Sequence, residues 1–212
     1  MDAVRGYLAE VEGDAQLRRV VGEGLRQSSR SATTDPVVRY GRRLGWYAFV
    51  RALRPEFVVE TGTNRGLGSA VIAAALLKNG RGTLATCDID DRGGELIRPP
   101  YDAVVEHSVM DSLEFLAELG SGGKQVDLFL TDTGLTSDRE RAELAAVTPL
   151  LAPGAVVLAT KAYMWAELPR WAEQQGRGFL HFSEKPQDHW YPGVGIGVSF
   201  PAPVTAPTAT TA

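Results

Sequence analysis

One short stretch of the chain gathers the side chains best placed for ligand chemistry. In Val58-Val59-Glu60-Thr61-Gly62-Thr63-Asn64-Arg65-Gly66-Leu67-Gly68-Ser69 an apolar run ends in a carboxylate and opens into three glycines interleaved with hydroxyls and an amide. An apolar run of helical character follows over 70–77, and about 25 residues after Gly62 the chain reads Cys87-Asp88-Ile89-Asp90. This is the order strand, glycine loop, helix, second strand, acidic tip. The glycines let the backbone turn sharply and bring a ligand against the main chain, while an acid at the next strand's tip can accept hydrogen bonds from two ribose hydroxyls. The chemistry implied is recognition of a nucleoside.

The glycine spacing narrows the choice. Gly62, Gly66 and Gly68 form G-x-x-x-G-x-G, whereas the dinucleotide fingerprint is G-x-G-x-x-G. A carboxylate as close to the loop as Glu60 would repel a pyrophosphate and suit an ammonium or sulfonium group. On these residues the segment resembles motif I of the class I S-adenosylmethionine-dependent methyltransferases, written E/D-x-G-x-x-x-G; a glycine turn in another open α/β sheet is the plainer alternative.

The resemblance implies that Glu60, Gly62, Thr63, Asn64, Gly66, Gly68 and Ser69 line the methionine part of S-adenosylmethionine, with loop amides and hydroxyls bonding its carboxylate. It implies that Asp88 holds the ribose and that Ile89 packs beside the adenine. After the third strand, where relatives with a G-D-S type sequence contact the adenine, this chain has Val109, Met110 and Asp111. The Met110 thioether can pack on a purine face and Asp111 can accept from the exocyclic amine, although Asp111-Ser112 reads equally well as a helix cap.

Asp132, at the tip of the fourth strand, is placed both to line the cofactor and to act in catalysis. Metal-dependent catechol-type O-methyltransferases have a magnesium ligand there and an Asp-Asn pair at the end of the fifth strand. This chain has Thr160-Lys161 instead. A fixed ammonium is a poor neighbour for a divalent cation and one carboxylate is not the oxygen-rich shell magnesium prefers, so no metal is expected. The family's lysine after the fourth-strand acid is also replaced, by Thr133-Gly134-Leu135. Lys161 is read as orienting an anionic acceptor or, more simply, pairing with Asp132. His189, in Asp188-His189-Trp190-Tyr191, is a candidate base for a hydroxyl acceptor, with a solvated loop histidine as the alternative. His107 and His181 are read as structural. Trp46, Tyr47, Trp165, Trp190 and Tyr191 could wall an acceptor pocket, and for Trp46 and Trp165 core packing is the preferred assignment.

These residues need a scaffold that brings strand tips together. Apolar spacing predicts two short helices between Val4 and about Leu25, then a helix opened by Asp35-Pro36 and running to Leu53. Strands are predicted at 57–60, 83–88, 104–107, 126–132 and 155–159, alternating with helices over 68–78, 112–119 and from Ser137 to about Leu151. Ser137-Asp138-Arg139-Glu140 has capping-box spacing, and Pro153-Gly154 reads as the turn into the fifth strand. A further helix holds Trp165, Leu168 and Trp171, with Pro169 expected to bend or divide it. Segments 178–182 and 195–200 are joined by a loop too short for a helical crossover and should pair antiparallel. The fold class expected is therefore α/β, a Rossmann-like doubly wound, mainly parallel sheet ending in an antiparallel hairpin. It spans 35–200, preceded by a helical extension over 1–34 and followed by a disordered tail over 201–212.

Composition restricts the function classes. With 22 Lys and Arg against 26 Asp and Glu the formal net charge is −4, and no basic run exceeds a pair such as Arg42-Arg43, so nucleic acid is not an expected partner. No apolar stretch approaches a membrane span and the N-terminus does not read as a signal, which makes the cytoplasm the expected compartment. The single cysteine, Cys87, reads as a small core residue. The expectation is a metal-independent methyltransferase acting on a small molecule, most readily at a hydroxyl, with S-adenosylmethionine as cofactor, and compatible with a homodimer. A nicotinamide-dependent oxidoreductase and a non-catalytic nucleoside-binding module are the alternatives.

Overall fold

The computed structural model describes residues 2–28, 37–133, 136–162, 164–185 and 193–202. A seven-stranded sheet is built from β1 (Phe57–Thr61), β2 (Thr83–Asp88), β3 (Val105–Val109), β4 (Val126–Thr131), β5 (Leu151–Ala159), β6 (Arg177–Phe182) and β7 (Ile196–Pro201). Its order is β3-β2-β1-β4-β5-β7-β6. The first five strands pair in parallel, while β7 is antiparallel to both β5 and β6, so the expected fold class holds, terminal hairpin included. Chain direction across the sheet reverses between β1 and β4, and the cleft opens there, at the carboxyl ends of the strands.

Side-chain alternation along the strands sends each residue set to one face. Val58, Leu84, Leu128, Leu130, Val156, Leu158 and Val198 point into a cluster with α1 (Asp2–Glu12), α2 (Ala15–Gln27), α3 (Arg43–Leu53) and α4 (Leu67–Asn79). Val59, Ala85, Cys87, Phe129, Val157 and Ala159 face α5 (Ser112–Ser121), α6 (Ser137–Val147) and α7 (Glu167–Gln174). Helix α4 is apolar on nearly every side because α2 and α3 lie over the surface it turns away from the sheet. The two N-terminal helices thus share the core of the sheet: Val11, Leu17 and Val21 are fully buried in it. Glu10 of α1 bonds Tyr47 and Arg51 of α3, the latter at 2.7 Å.

Several boundaries move. Asp35 and Pro36 lie outside the described residues, and α3 begins only at Arg43, because Gly41 takes φ +54° and the chain turns before the helix. Helix α6 stops at Val147; a 3-10 turn over Thr148–Leu150 follows, and β5 starts at Leu151, so Pro153-Gly154 lies within the strand rather than in a turn before it. The α6 cap is Thr136, whose hydroxyl accepts from the Arg139 amide at 3.2 Å, one residue ahead of the predicted Ser137. Pro169 sits in the first turn of α7, where no backbone donor is needed, and does not divide it. Residues 203–212, the bulk of the predicted tail, are outside the described residues. Among the described residues no helix is long and apolar enough to cross a membrane.

Candidate functional site

The loop after β1 is lashed to the tip of β2. At Gly62 the backbone takes φ +91°, and the amides of Gly62 and Thr63 donate to the Cys87 carbonyl at 2.9 and 3.0 Å. Asn64 adopts φ +48°, and its amide donates to Asp88 Oδ2 at 2.6 Å, while Asp88 Oδ1 accepts from the Asp90 amide at 2.9 Å. Asp88 therefore shapes the loop as well as facing the cleft. The following segment seals the loop from outside: the amides of Gly94 and Leu96 donate to the carbonyls of Asn64 and Arg65, both at 2.8 Å.

Glycine at 62 answers a demand that is visible only in three dimensions. A Cβ there would lie 2.7 Å from the Asp132 carbonyl carbon and the Thr133 nitrogen, so the tips of β1 and β4 can meet only if position 62 has no side chain. At Gly68 a Cβ would strike the Trp46 ring and come within 2.8 Å of Glu60 Oε1. Trp46, from α3, is thus pressed onto the start of α4.

Glu60 is buried and accepts from the hydroxyls of Ser69 and of Thr86, the latter at 2.8 Å. Burial pushes its carboxyl up to about 7, although both hydroxyl bonds pull the other way. At neutral pH this group is poised between its neutral and charged forms.

Two adjoining cavities occupy the switch point. The larger, about 510 Å³, is lined by Asp88, Ile89, Asp90, Met110, Asp111 and Arg139, among others. The smaller, about 100 Å³, lies under α3 and is lined by Arg43, Trp46, Glu60, Thr63 and Gly68. Gly62, Asn64 and Asp132 line both, so one elongated ligand can enter both across that ridge. Ile89 is exposed at the rim. Gly66, Ser69 and Val109 line neither of these two: Gly66 caps α4, Ser69 is turned onto Glu60, and Val109 is exposed at the end of β3.

Asp111 caps α5, accepting from the Leu113 amide at 2.8 Å, and pairs with Arg139 at 3.0 Å. The Arg139 guanidinium holds its carboxyl below the usual carboxylate range. Asp132 is paired with Arg42 at 3.0 Å and accepts from the Thr160 hydroxyl. The cation on Asp132 is therefore Arg42, from the turn before α3, and not Lys161. Lys161 makes no ion pair among the described residues, and its field falls instead on Glu140 of α6. His189, with Trp190 and Tyr191, lies outside the described residues. Cys87 is buried and its thiol is pushed up to about 12 by burial, which suits a core residue. His107 is half-buried with its Nε2 enclosed, and His181 sits on the exposed strand β6. Among the described residues no group of three His, Cys, Asp or Glu is arranged to hold a metal ion.

Sequence reasoning missed Arg42, Arg43 and Arg139, and also Glu143 of α6, whose carboxylate accepts from the hydroxyls of Thr61, Ser112, Thr131 and Thr133. Of these, only Arg42-Arg43 stands out in the sequence, as a basic pair. The fold-determined neighbours that give these side chains their roles come from other segments of the chain.

Residues 59–159 match a protein family described as a methyltransferase domain. Among solved structures, the chain is similar to the O-methyltransferase of Bacillus cereus in complex with SAH (S-adenosylhomocysteine), at 15% identity, covering 93% of this chain and 97% of that one, with a TM-score of 0.67. It is similar to the O-methyltransferase TomG of Streptomyces achromogenes, involved in tomaymycin synthesis and solved with S-adenosylmethionine, at 16% identity, 87% and 90% coverage and a TM-score of 0.65. A methyltransferase from Geobacter sulfurreducens shows 21% identity, 86% and 89% coverage and a TM-score of 0.60. None of the curated proteins compared with the chain matches it. Residues 59–159 thus carry a methyltransferase-domain match, and the chain as a whole shares the fold of these solved methyltransferases.

Proposed function

We propose that the protein transfers a methyl group from S-adenosylmethionine to a hydroxyl of a small-molecule acceptor, without a metal ion, in the cytoplasm. The observation that carries this is the continuity of the two cavities across Gly62, Asn64 and Asp132, with Asp88 in one and Glu60 in the other. The larger cavity has the size and the carboxylate for an adenosine. The smaller has the charged walls for an amino-acid end. That the solved O-methyltransferases of like fold carry S-adenosylmethionine or SAH supports the same assignment.

When bound, S-adenosylmethionine supplies a methyl carbon on a sulfonium, which passes to the acceptor oxygen as the carbon–sulfur bond breaks and the acceptor's proton leaves. The protein's share is alignment. Asp88 takes the ribose edge, Ile89 and Met110 flank the base, and the Gly62 turn fixes the distance between the cofactor and the β4 tip, where near-contact alignment can supply much of the acceleration. Asp132, clamped by Arg42 and Thr160, is a rigid wall beside the reacting groups. His189 is proposed as the proton acceptor for a hydroxyl and Lys161 as an orienting cation for an anionic acceptor. Metal independence is supported by Arg42, which occupies the face of Asp132 that a cation would need.

Calorimetric titration tests the core of this. SAH should bind wild type, and Asp88→Ala should weaken it at least tenfold; absence of heat with wild type, or an unchanged affinity in Asp88→Ala, would overturn the assignment. His189→Ala should bind SAH normally and lose turnover once an acceptor is in hand.

A further inference from the structure

The smaller cavity contains a guanidinium that no side chain among the described residues pairs with directly. Arg43 opens α3, and its Nε is enclosed with no hydrogen-bond partner, while the guanidinium makes no ion pair among the described residues. Its neighbours do not provide one. Arg42 is spent on Asp132, and Trp46 offers its ring face, 5.4 Å from the Arg43 guanidinium carbon. Glu60 is turned onto Ser69 and Thr86, and Glu184 accepts from the Val194 amide at 3.3 Å. Burial and the repulsion of Arg42 both press the Arg43 guanidinium below its ordinary value, with Asp132, Glu60 and Glu184 acting only from a distance. A buried cation without a partner is costly unless a ligand completes it.

We propose that Arg43 is the anchor for the α-carboxylate of the S-adenosylmethionine amino-acid end, with Glu60 and Asp132 on the opposite wall receiving its ammonium. This rests on the function proposed above and goes beyond it by assigning the amino-acid end to α3 rather than to the glycine loop alone. Three observations favour the cofactor over an anionic acceptor as the occupant. The cavity holds about 100 Å³, the scale of an amino-acid head group. Its floor is the loop itself, through Gly62, Thr63 and Gly68. And its walls carry both guanidinium groups, of Arg43 and Arg65, and carboxylates, of Glu60 and Asp132, the complement of a zwitterion. Because α1 packs on α3, and α2 packs on α4 and sends Leu25 to the cavity wall, the helices ahead of the sheet become part of the cofactor site.

The test uses two ligands that differ only at that end: SAH, which has it, and 5′-methylthioadenosine, which lacks both the carboxylate and the ammonium. A charge-assisted bond to a carboxylate is worth about 1.5–3 kcal/mol, or roughly 10–150-fold in affinity. In the full-length protein, Arg43→Met should therefore weaken SAH by at least tenfold and leave 5′-methylthioadenosine within about twofold of wild type. Arg43→Lys should recover part of the SAH affinity. Ligand-free Arg43→Met should melt no lower than wild type, since it loses an uncompensated charge. Unchanged SAH affinity, as an acceptor-binding role would give, overturns the proposal, and so does equal weakening of both ligands. Failure of wild type to bind either ligand overturns instead the function on which it rests.

Discussion

The Glu143 carboxylate, buried on the inner face of α6, accepts the Thr131 hydroxyl at the end of β4 at 2.7 Å. The same carboxylate accepts from Thr61 at the end of β1 at 3.0 Å, from Ser112 at the start of α5 at 2.6 Å and from Thr133 beyond β4 at 2.7 Å. One acid thus sets the relative positions of the segments that wall the larger cavity. Glu143→Gln replaces an acceptor of four hydroxyl bonds by a group that can accept at only one atom, and leaving buried hydroxyls unsatisfied costs about 1–3 kcal/mol. Urea unfolding should show the free energy of unfolding lowered by that amount, as a lower midpoint with an unchanged slope, and Glu143→Ala should lose more. A variant as stable as wild type would show that the hub is dispensable.

Gly62→Ala and Gly80→Ala separate strain from collision. Both positions have positive φ, +91° and +65°, but a Cβ at 62 meets the backbone of Asp132 and Thr133, and one at 80 meets nothing. Gly80→Ala should cost only the conformational term, about 1 kcal/mol. Gly62→Ala should cost several kcal/mol more, because backbone cannot yield as a flexible side chain does. It should also abolish SAH binding, since the ridge between the cavities would move. Similar melting temperatures for the two variants would mean the strand tips are not held as close as described.

What could be read from the chain follows from where the information is stored. Val58, Leu84 and Leu128 announce buried strands by local apolar runs, and Gly62, Gly66 and Asp88 announce by spacing a glycine loop beside an acidic strand tip, because both signals lie within a few dozen residues. In the described residues α3 begins only at Arg43, after the turn at Gly41, a stop that the apolar spacing of 37–53 does not show; the start of β5 differs because Pro153-Gly154 reads as a turn although the pair continues an exposed end of a strand. Glu143 carried no local signal at all: its partners come from three other places in the chain and meet only once the sheet is formed. Arg42 and Arg43 read as a surface pair, yet one turn of helix sends the first to Asp132 and the second into a cavity.

Glu60 should leave a mark on stability against pH. Its carboxyl titrates near 4.5 when free of the fold and at about 7 in the folded chain, so between those values the unfolded chain releases the proton while the folded chain keeps it. Stability contributed by this group therefore falls as pH rises through that window and levels off above it, by up to roughly 3 kcal/mol. Glu140, pushed up to about 7 chiefly by burial and then by Glu167, acts in the same direction. Comparing urea midpoints at about pH 5 and pH 8, wild type should lose more stability than Glu60→Gln over the interval. Parallel losses in the two proteins would show that Glu60 does not hold its proton in the fold.

The clamp on Asp132 predicts how the protein responds to metal. With Arg42 and Thr160 on its oxygens and Lys161 where a second ligand would be needed, added magnesium or EDTA should leave the melting temperature and the SAH affinity unchanged. A magnesium-dependent rise in melting temperature that disappears in Asp132→Asn would locate a metal at this acid and remove the case for metal independence.

Arg42 and Asp132 themselves should behave as one unit. Both side chains are only 14% exposed, so the pair is poorly screened, and removing either partner strands a charge. Arg42→Met should destabilise by about 2–4 kcal/mol, through the lost pair and the lost stacking on Trp46, whose ring lies 5.4 Å from the guanidinium carbon. Placing Asp132→Asn in that background should restore part of the loss, since the orphaned carboxylate is gone, which gives a coupling of about 1–3 kcal/mol in a double-mutant cycle read by urea unfolding. Because the Arg42 clamp would hold Asp132 on the ridge shared by the two cavities, the Arg42→Met single variant should also bind SAH more weakly than the double variant's stability alone would suggest. Additive effects on stability would show that α3 is fastened to the β4 tip by packing rather than by this pair.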